Sequence, residues 1–271
     1  MLRAVITLLF VLVGVVVFVR WLEPRVAFFP SAGETSTPAE LGVDYSDLTI
    51  PTSDGERLHA WLLRADQPRA VVVYFHGNGG NLSVWAPILA DIARRGCDVL
   101  AVDYRGYGRS TGRPTETGVY RDADAVVEQA WTSRRDAGPV VYWGRSLGTA
   151  VAAYAATRRA PDGIVIEAGF PDGRALIRSS SPLLAVLSLF ATYRFPTIEF
   201  LRGVRAPALV IHGDADQVVP FSLGQTLFDK IDGAKTFVRI AGGDHNDLRP
   251  ADERAYWDAV EAFVRSIGSQ S

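Results

Sequence analysis

Apolar and polar positions along this chain follow two different rhythms. Residues 4–19 read AVITLLFVLVGVVVFV, an almost unbroken apolar run between Arg3 and Arg20. No polar face interrupts it, unlike the stripe of an amphipathic surface helix. At about 1.5 Å per residue the run reaches roughly 24 Å, and Trp21 and Leu22 extend it toward the ~30 Å of a bilayer core. Arg20 can snorkel to the interface. A cleaved signal peptide would need a small-x-small site, whereas the next residues are Arg20-Trp21-Leu22-Glu23-Pro24-Arg25. The pattern therefore predicts an uncleaved membrane anchor over residues 1–23. Arg3 before the span, with Arg20 and Arg25 after it, leaves its orientation balanced. Residues 24–42, rich in Pro, Ser, Thr, Gly and Ala, read as a tether or surface loop.

Beyond residue 42 short apolar runs alternate with amphipathic stretches. Residues 45–50 and 58–63 predict a strand pair joined at Thr52-Ser53-Asp54-Gly55. Runs at 70–75, 98–103, 140–143, 163–167, 208–212 and 236–240 follow. Most carry Val or Ile at consecutive positions, as strands covered on both faces do. The stretches 82–95, 116–135, 147–159, 222–231 and 252–267 read as helices. Strand–helix alternation predicts one doubly wound α/β domain over 43–271, with a mostly parallel sheet of about eight strands. Its site belongs on loops at the strands' C-terminal ends.

Composition narrows the chemistry. The 271 residues are 48% hydrophobic and 21% charged, which describes a globular protein with some apolar excess. Lys and Arg number 28 against 30 Asp and Glu, giving a net charge of −2. No basic block occurs, so nothing points to nucleic acid. The single cysteine, Cys97, opens an apolar run and reads as a small buried hydrophobe; it permits neither an intrachain disulfide nor a cysteine metal site. His59, His76, His212 and His245 are too scattered for a compact zinc motif. No metal or organic cofactor is implied.

The candidate chemistry centres on Gly144-Arg145-Ser146-Leu147-Gly148, between the apolar run ending in Trp143 and the helical stretch that follows. In that setting the serine of G-x-S-x-G sits on a sharp strand-to-helix turn, above the free N–H groups of a helix N-terminus. An ordinary turn with a serine N-cap would share the pattern, so partners are required. One is the loop His76-Gly77-Asn78-Gly79-Gly80-Asn81, whose Asn78 N–H can pair with that of Leu147 to hold an oxyanion. His76 reads as a structural residue of that loop. Another is Gly213-Asp214-Ala215-Asp216, where charge alone does not choose between the two carboxylates. The last is His245, on a Gly-rich loop after the final strand and free to act as general base. The order Ser146, then Asp214 or Asp216, then His245 is that of a nucleophile-elbow hydrolase.

With these residues in view the chain resembles the α/β-hydrolases over about 43 to 267. The resemblance is carried by FHGNGGN (75–81), DYRGYGRSTGRPTE (103–116), GRSLGTAVA (144–152), PALVIHGDADQVVP (207–220) and GGDHND (242–247). It is most similar to small, N-terminally membrane-anchored serine hydrolases, a group that also resembles protein depalmitoylases. The resemblance implies Ser146 as nucleophile, Asp216 as acid, His245 as base, and Asn78 and Leu147 as oxyanion donors. Asp103, Tyr104, Arg105 and Gly106 match a structural loop. Thr149 departs from the glycine often found there. The segment at about 170–206 stands where the family carries a lid, so residues 183–190 form either a short cap over an acyl pocket or core packing. The expected function is cleavage of esters or thioesters of a hydrophobic acyl group. An amidase or peptidase on the same scaffold, or a silent binding module, is the alternative.

Overall fold

The computed structural model describes residues 1–134, 138–180 and 182–269. Arg135, at the end of the helix expected over 116–135, lies outside the described residues, as do the last two residues of the expected 43–271 domain. Among the described residues one large sheet contains β1 (Tyr45–Pro51), β2 (Arg57–Leu63), β3 (Ala70–Phe75), β4 (Cys97–Val102), β5 (Val140–Arg145), β6 (Gly163–Glu167), β7 (Ala208–Gly213) and β8 (Lys235–Ile240). Their spatial order is β1-β2-β4-β3-β5-β6-β7-β8. Strand β2 runs antiparallel to β1 and β4, and the remaining neighbours are parallel. This is the doubly wound, mostly parallel sheet that the strand–helix alternation predicts.

Every residue of β3 to β7 is buried, which is why these strands read as continuous apolar runs. Successive side chains of β3 enter opposite layers. Val71, Val73 and Phe75 join one buried cluster, whereas Val72 and Tyr74 join the other. The first cluster includes Val119 and Val126 of α3 (Glu116–Ser133), with α4 (Leu147–Arg158); the second includes Leu89 of α2 (Leu82–Arg94). Side chains of Asn81 and Thr115 cap α2 and α3 by accepting from Ser83 N and Gly118 N.

The N-terminal helix α1 spans Leu2–Ala27, so it continues past residue 23 with Pro24 inside it. Pro24 removes the one N–H that would donate to Arg20 O, near the C-terminal end of the helix. Residues after α1 are not a free tether. Phe29 and Pro30 pair in parallel with Gly79 and Gly80, and Ser31 N donates to Gly80 O at 2.9 Å. Gly33 N and Gly108 N extend the contact, and Asn81 Nδ2 donates to the carbonyls of Ser31 and Gly33. The backbone groups that fasten these residues are distant in sequence.

The segment between β6 and β7 folds as α5 (Gly173–Ser180), α6 (Pro182–Leu187), a 3-10 turn (Ser188–Phe190) and α7 (Thr197–Leu201). The chain ends with α8 (Phe221–Lys230), α9 (Leu248–Ala251) and α10 (Glu253–Gly268).

Candidate active site

The turn between β5 and α4 places Ser146 at φ 51°, ψ −119°, a left-handed conformation unusual for a residue with a side chain. Such strain persists only where neighbours fix it. Ser146 N donates to Glu167 O at 2.9 Å, and Ser146 O accepts from Thr149 N at 3.0 Å and Thr149 Oγ1 at 2.6 Å. Thr149 thus braces the turn with a bond that glycine would lack. The flanking glycines are sterically required. A Cβ on Gly144 would stand 2.3 Å from Gly148 O, and one on Gly148 would stand 2.0 Å from Phe75 O.

Three side chains from distant loops meet above this turn. His245 Nε2 lies 3.1 Å from Ser146 Oγ, and His245 Nδ1 lies 2.8 Å from Asp216 Oδ2. With Nδ1–H donating to the carboxylate, Nε2 is free to accept the serine proton. Asp216 Oδ1 accepts from Val218 N at 2.8 Å and Val219 N at 2.7 Å. Burial acts to raise the Asp216 pKa. Hydrogen bonds from His212 and His245, the His245 charge and the Val219 N–H outweigh it and hold the carboxyl well below the usual range. Asp214 faces elsewhere: its carboxylate pairs with Arg239 and accepts from Gly242 N at 2.7 Å. Geometry therefore brings Asp216 to His245.

His212 and Arg145 support this line, and sequence reasoning assigned neither a role. His212 Nε2 donates to Val219 O at 2.9 Å and lies 3.5 Å from Asp216 Oδ2. Arg145 is buried; it donates to Glu167 Oε1 at 3.1 Å and to His245 O at 2.6 Å. Glu167 Oε2 accepts from Trp143 Nε1 at 2.9 Å and Tyr256 Oη at 3.0 Å. The x position of G-x-S-x-G thereby grips the loop that carries His245. The available signal was an arginine embedded in an apolar strand end, where a buried charge demands a partner.

Asn78 and Leu147 lie with Ser146 on the wall of one cavity of about 170 Å³. Among the described residues no protein group accepts from the Asn78 or Leu147 backbone N–H. Asn78 O accepts from Phe29 N at 2.9 Å and from Tyr107 Oη at 2.7 Å, which fixes the peptide from its other side. Tyr104 Oη donates to His76 O at 3.0 Å. His76 is fully buried, its Nδ1 lies 2.6 Å from Gly77 O, and burial pushes its pKa down. It is a support of the loop. The segment at 103–107 thus acts as a brace: Asp103 accepts from Leu82 N at 2.9 Å, and Arg105 pairs with Asp122 and Asp54. The rest of the cavity wall is largely apolar, with Phe170, Leu176, Ile177 and Phe195 from the segment at 170–206. The lining from this segment comes from 170–177 and 191–195, with none of the described residues of 183–190 among it.

Glu34, Asp47 and His59 each bring one possible ligand atom within 4.8 Å of the others. Arg109 already lies 3.3 Å from Glu34 and 2.7 Å from Asp47, supplying the positive charge these acids need.

A family model described as Serine aminopeptidase, S33, matches residues 66–203. The chain belongs to the α/β-hydrolases. An uncharacterized protein of Mycobacterium tuberculosis is 33% identical to this hydrolase over 256 residues, covering 93% of this chain and 90% of that protein. An uncharacterized membrane protein of Saccharomyces cerevisiae is 32% identical over 240 residues, covering 86% and 84%. Among solved structures, an esterase of Pyrococcus furiosus superposes with a TM-score of 0.70 at 18% identity, covering 89% of the hydrolase and 98% of that chain. Membership of this family supports hydrolase activity.

Proposed function

We propose that this protein is a membrane-anchored serine hydrolase that cleaves carboxylic ester or thioester bonds of a hydrophobic acyl group. The observation that carries the reading is the continuous hydrogen-bond line Ser146–His245–Asp216, mounted on a strained strand-to-helix turn. Ser146 Oγ attacks the acyl carbonyl carbon while its proton passes to His245 Nε2. Asp216 holds the imidazole tautomer and stabilises the imidazolium. The N–H groups of Asn78 and Leu147 stabilise the tetrahedral oxyanion; loss of one such donor typically costs about 100- to 1,000-fold in kcat. The carbon–oxygen or carbon–sulfur bond then breaks, and the proton on Nε2 goes to the leaving group. Water next gives its proton to His245, attacks the acyl-serine and releases the acid, returning the proton to Ser146.

The apolar cavity wall supports a hydrophobic acyl group. The length of α1, about 39 Å at ~1.5 Å per residue, and the exposure of its apolar side chains support a membrane anchor. A yeast relative that bears the name of a membrane protein agrees with this.

Fluorophosphonate labelling of the detergent-solubilised protein tests the reading. Wild type is expected to label on the tryptic peptide holding Ser146, and Ser146→Ala and His245→Ala are not. A folded wild type that stays unlabelled would overturn it.

A further inference from the structure

We propose that the last turns of α1 are a working wall of the acyl pocket, and that the substrate is a long-chain acyl ester or thioester drawn sideways from the membrane holding α1. The proposal rests on the serine-hydrolase and membrane-anchor reading above, and adds the source of the acyl chain and its route.

The cavity beside Ser146 is closed partly by Glu23, Val26 and Ala27 of α1. This contact is built in. Glu23 is buried at 7% exposure, although it follows directly on the apolar span. Its carboxylate accepts from Thr192 N, from Thr192 Oγ1 at 2.7 Å and from Tyr193 N at 2.8 Å. The next two backbone N–H groups, of Arg194 and Phe195, donate to Glu116 of α3 at 2.7 and 2.6 Å. Four consecutive amides are thus held by two carboxylates, one from α1 and one from the domain. Phe28 is buried between Tyr193 and Phe195, at ring-centroid distances of 5.9 and 6.0 Å. Tyr193 and Phe195 themselves line the cavity. A tether that merely tied the domain to a bilayer would need none of these bonds.

Size and surface then set the route. A cavity of about 170 Å³ is smaller than the ~300–1,000 Å³ of pockets that enclose a drug-sized ligand. It takes the carbonyl end of a long chain and leaves the remainder outside. Val26, 55% exposed, marks an edge where cavity meets surface. From there α1 leads back past Phe18, 52% exposed, into the apolar span. The 3-10 turn at Ser188–Phe190 touches α1, and Leu184, Val186 and Leu189 of the same segment are 44%, 58% and 69% exposed. Leu189 of that turn thus lies next to the apolar helix. Exposed apolar side chains beside a helix of this length and hydropathy match lipid tails. The Glu23 carboxylate does not spoil the path, because its oxygens are occupied by donors from residues 192 and 193.

The test uses the full chain reconstituted in dioleoyl-phosphatidylcholine vesicles, with palmitoyl and acetyl esters of 4-methylumbelliferone. Wild type is expected to prefer the palmitoyl ester. It should cleave palmitoyl ester placed in its own vesicles about tenfold faster than ester supplied in separate vesicles. Val26→Trp is expected to lower the palmitoyl-to-acetyl ratio of kcat/KM by about tenfold. Leu189→Asp, at an exposed cap position that folding does not need, should lower the palmitoyl rate by about as much. Unchanged ratios in both variants, or equal rates on ester in the same and in separate vesicles, would overturn the lateral route. If wild type still labels at Ser146, such a result leaves the serine-hydrolase reading standing; a folded wild type without that label overturns both.

Discussion

Ser146 holds a left-handed backbone because three bonds fix its peptide and two glycines make room for the turn. Gly148→Ala puts a Cβ 2.0 Å from Phe75 O, against backbone that has nowhere to move. It is expected to cost ~3 kcal/mol or more, read as a lowered urea midpoint, or to prevent folding. Asp216 yields a pH prediction. Its folded pKa is depressed, so its stabilisation is present above the unfolded value of about 3.9 and is lost as pH falls through the folded value. The urea midpoint of Asp216→Asn should therefore lie below wild type near pH 7, with the gap starting to narrow as pH falls below about 3.9. Activity of this variant at neutral pH should fall by about 10⁴-fold, since the imidazole loses the partner that fixes its tautomer. At this scale Ser146 and His245 were legible because each sits on a glycine-bearing loop after an apolar run. Asp214 and Asp216 were not separable by charge: both are acids on one loop, and only the fold turns one toward His245 and the other toward Arg239.

Strands β3 to β7 were readable because burial on both faces leaves little but Val, Ile, Leu, Ala and aromatic residues to fill them. The end of β5 was less so. The expected strand stopped at residue 143, yet Gly144 and Arg145 pair with Ile166 and Glu167 of β6 before the elbow begins. That pairing sets Arg145 beside Glu167 and beneath the His245 loop. Arg145→Met leaves the Glu167 carboxylate buried without its ion partner and should cost about 3–5 kcal/mol in thermal or urea unfolding. Adding Glu167→Gln removes the orphaned charge and should recover much of that loss. Neither change restores the bond to His245 O, so kcat of the double variant should stay well below wild type with KM little changed. Recovery of kcat together with stability would show that Arg145 acts on stability alone. The strap at residues 28–33 escaped sequence reading for a related reason. Apart from those of the Asn81 side chain, its bonds run backbone to backbone with residues 78–80 and 108, and such bonds leave no mark on side-chain pattern.

At the scale of the whole molecule, a helix long and apolar enough to cross a bilayer ends against the wall of the cavity beside Ser146. The apolar run signalled the helix but not its far end. Glu23, Pro24 and Arg25 look like the start of a loop, and only Thr192, Tyr193 and the Phe28 ring contacts explain why the helix persists to Ala27. The full chain is expected to remain in the membrane pellet after alkaline carbonate extraction; release into the supernatant would contradict the anchor. The proposed chemistry turns on Ser146 as a nucleophile activated by His245. Turnover of 4-methylumbelliferyl acetate by purified Ser146→Ala beside wild type tests this most directly, with both melting curves recorded. The expected result is a loss of about 10⁴-fold or more in kcat at an almost unchanged Tm. Turnover by the folded variant within about tenfold of wild type would contradict it.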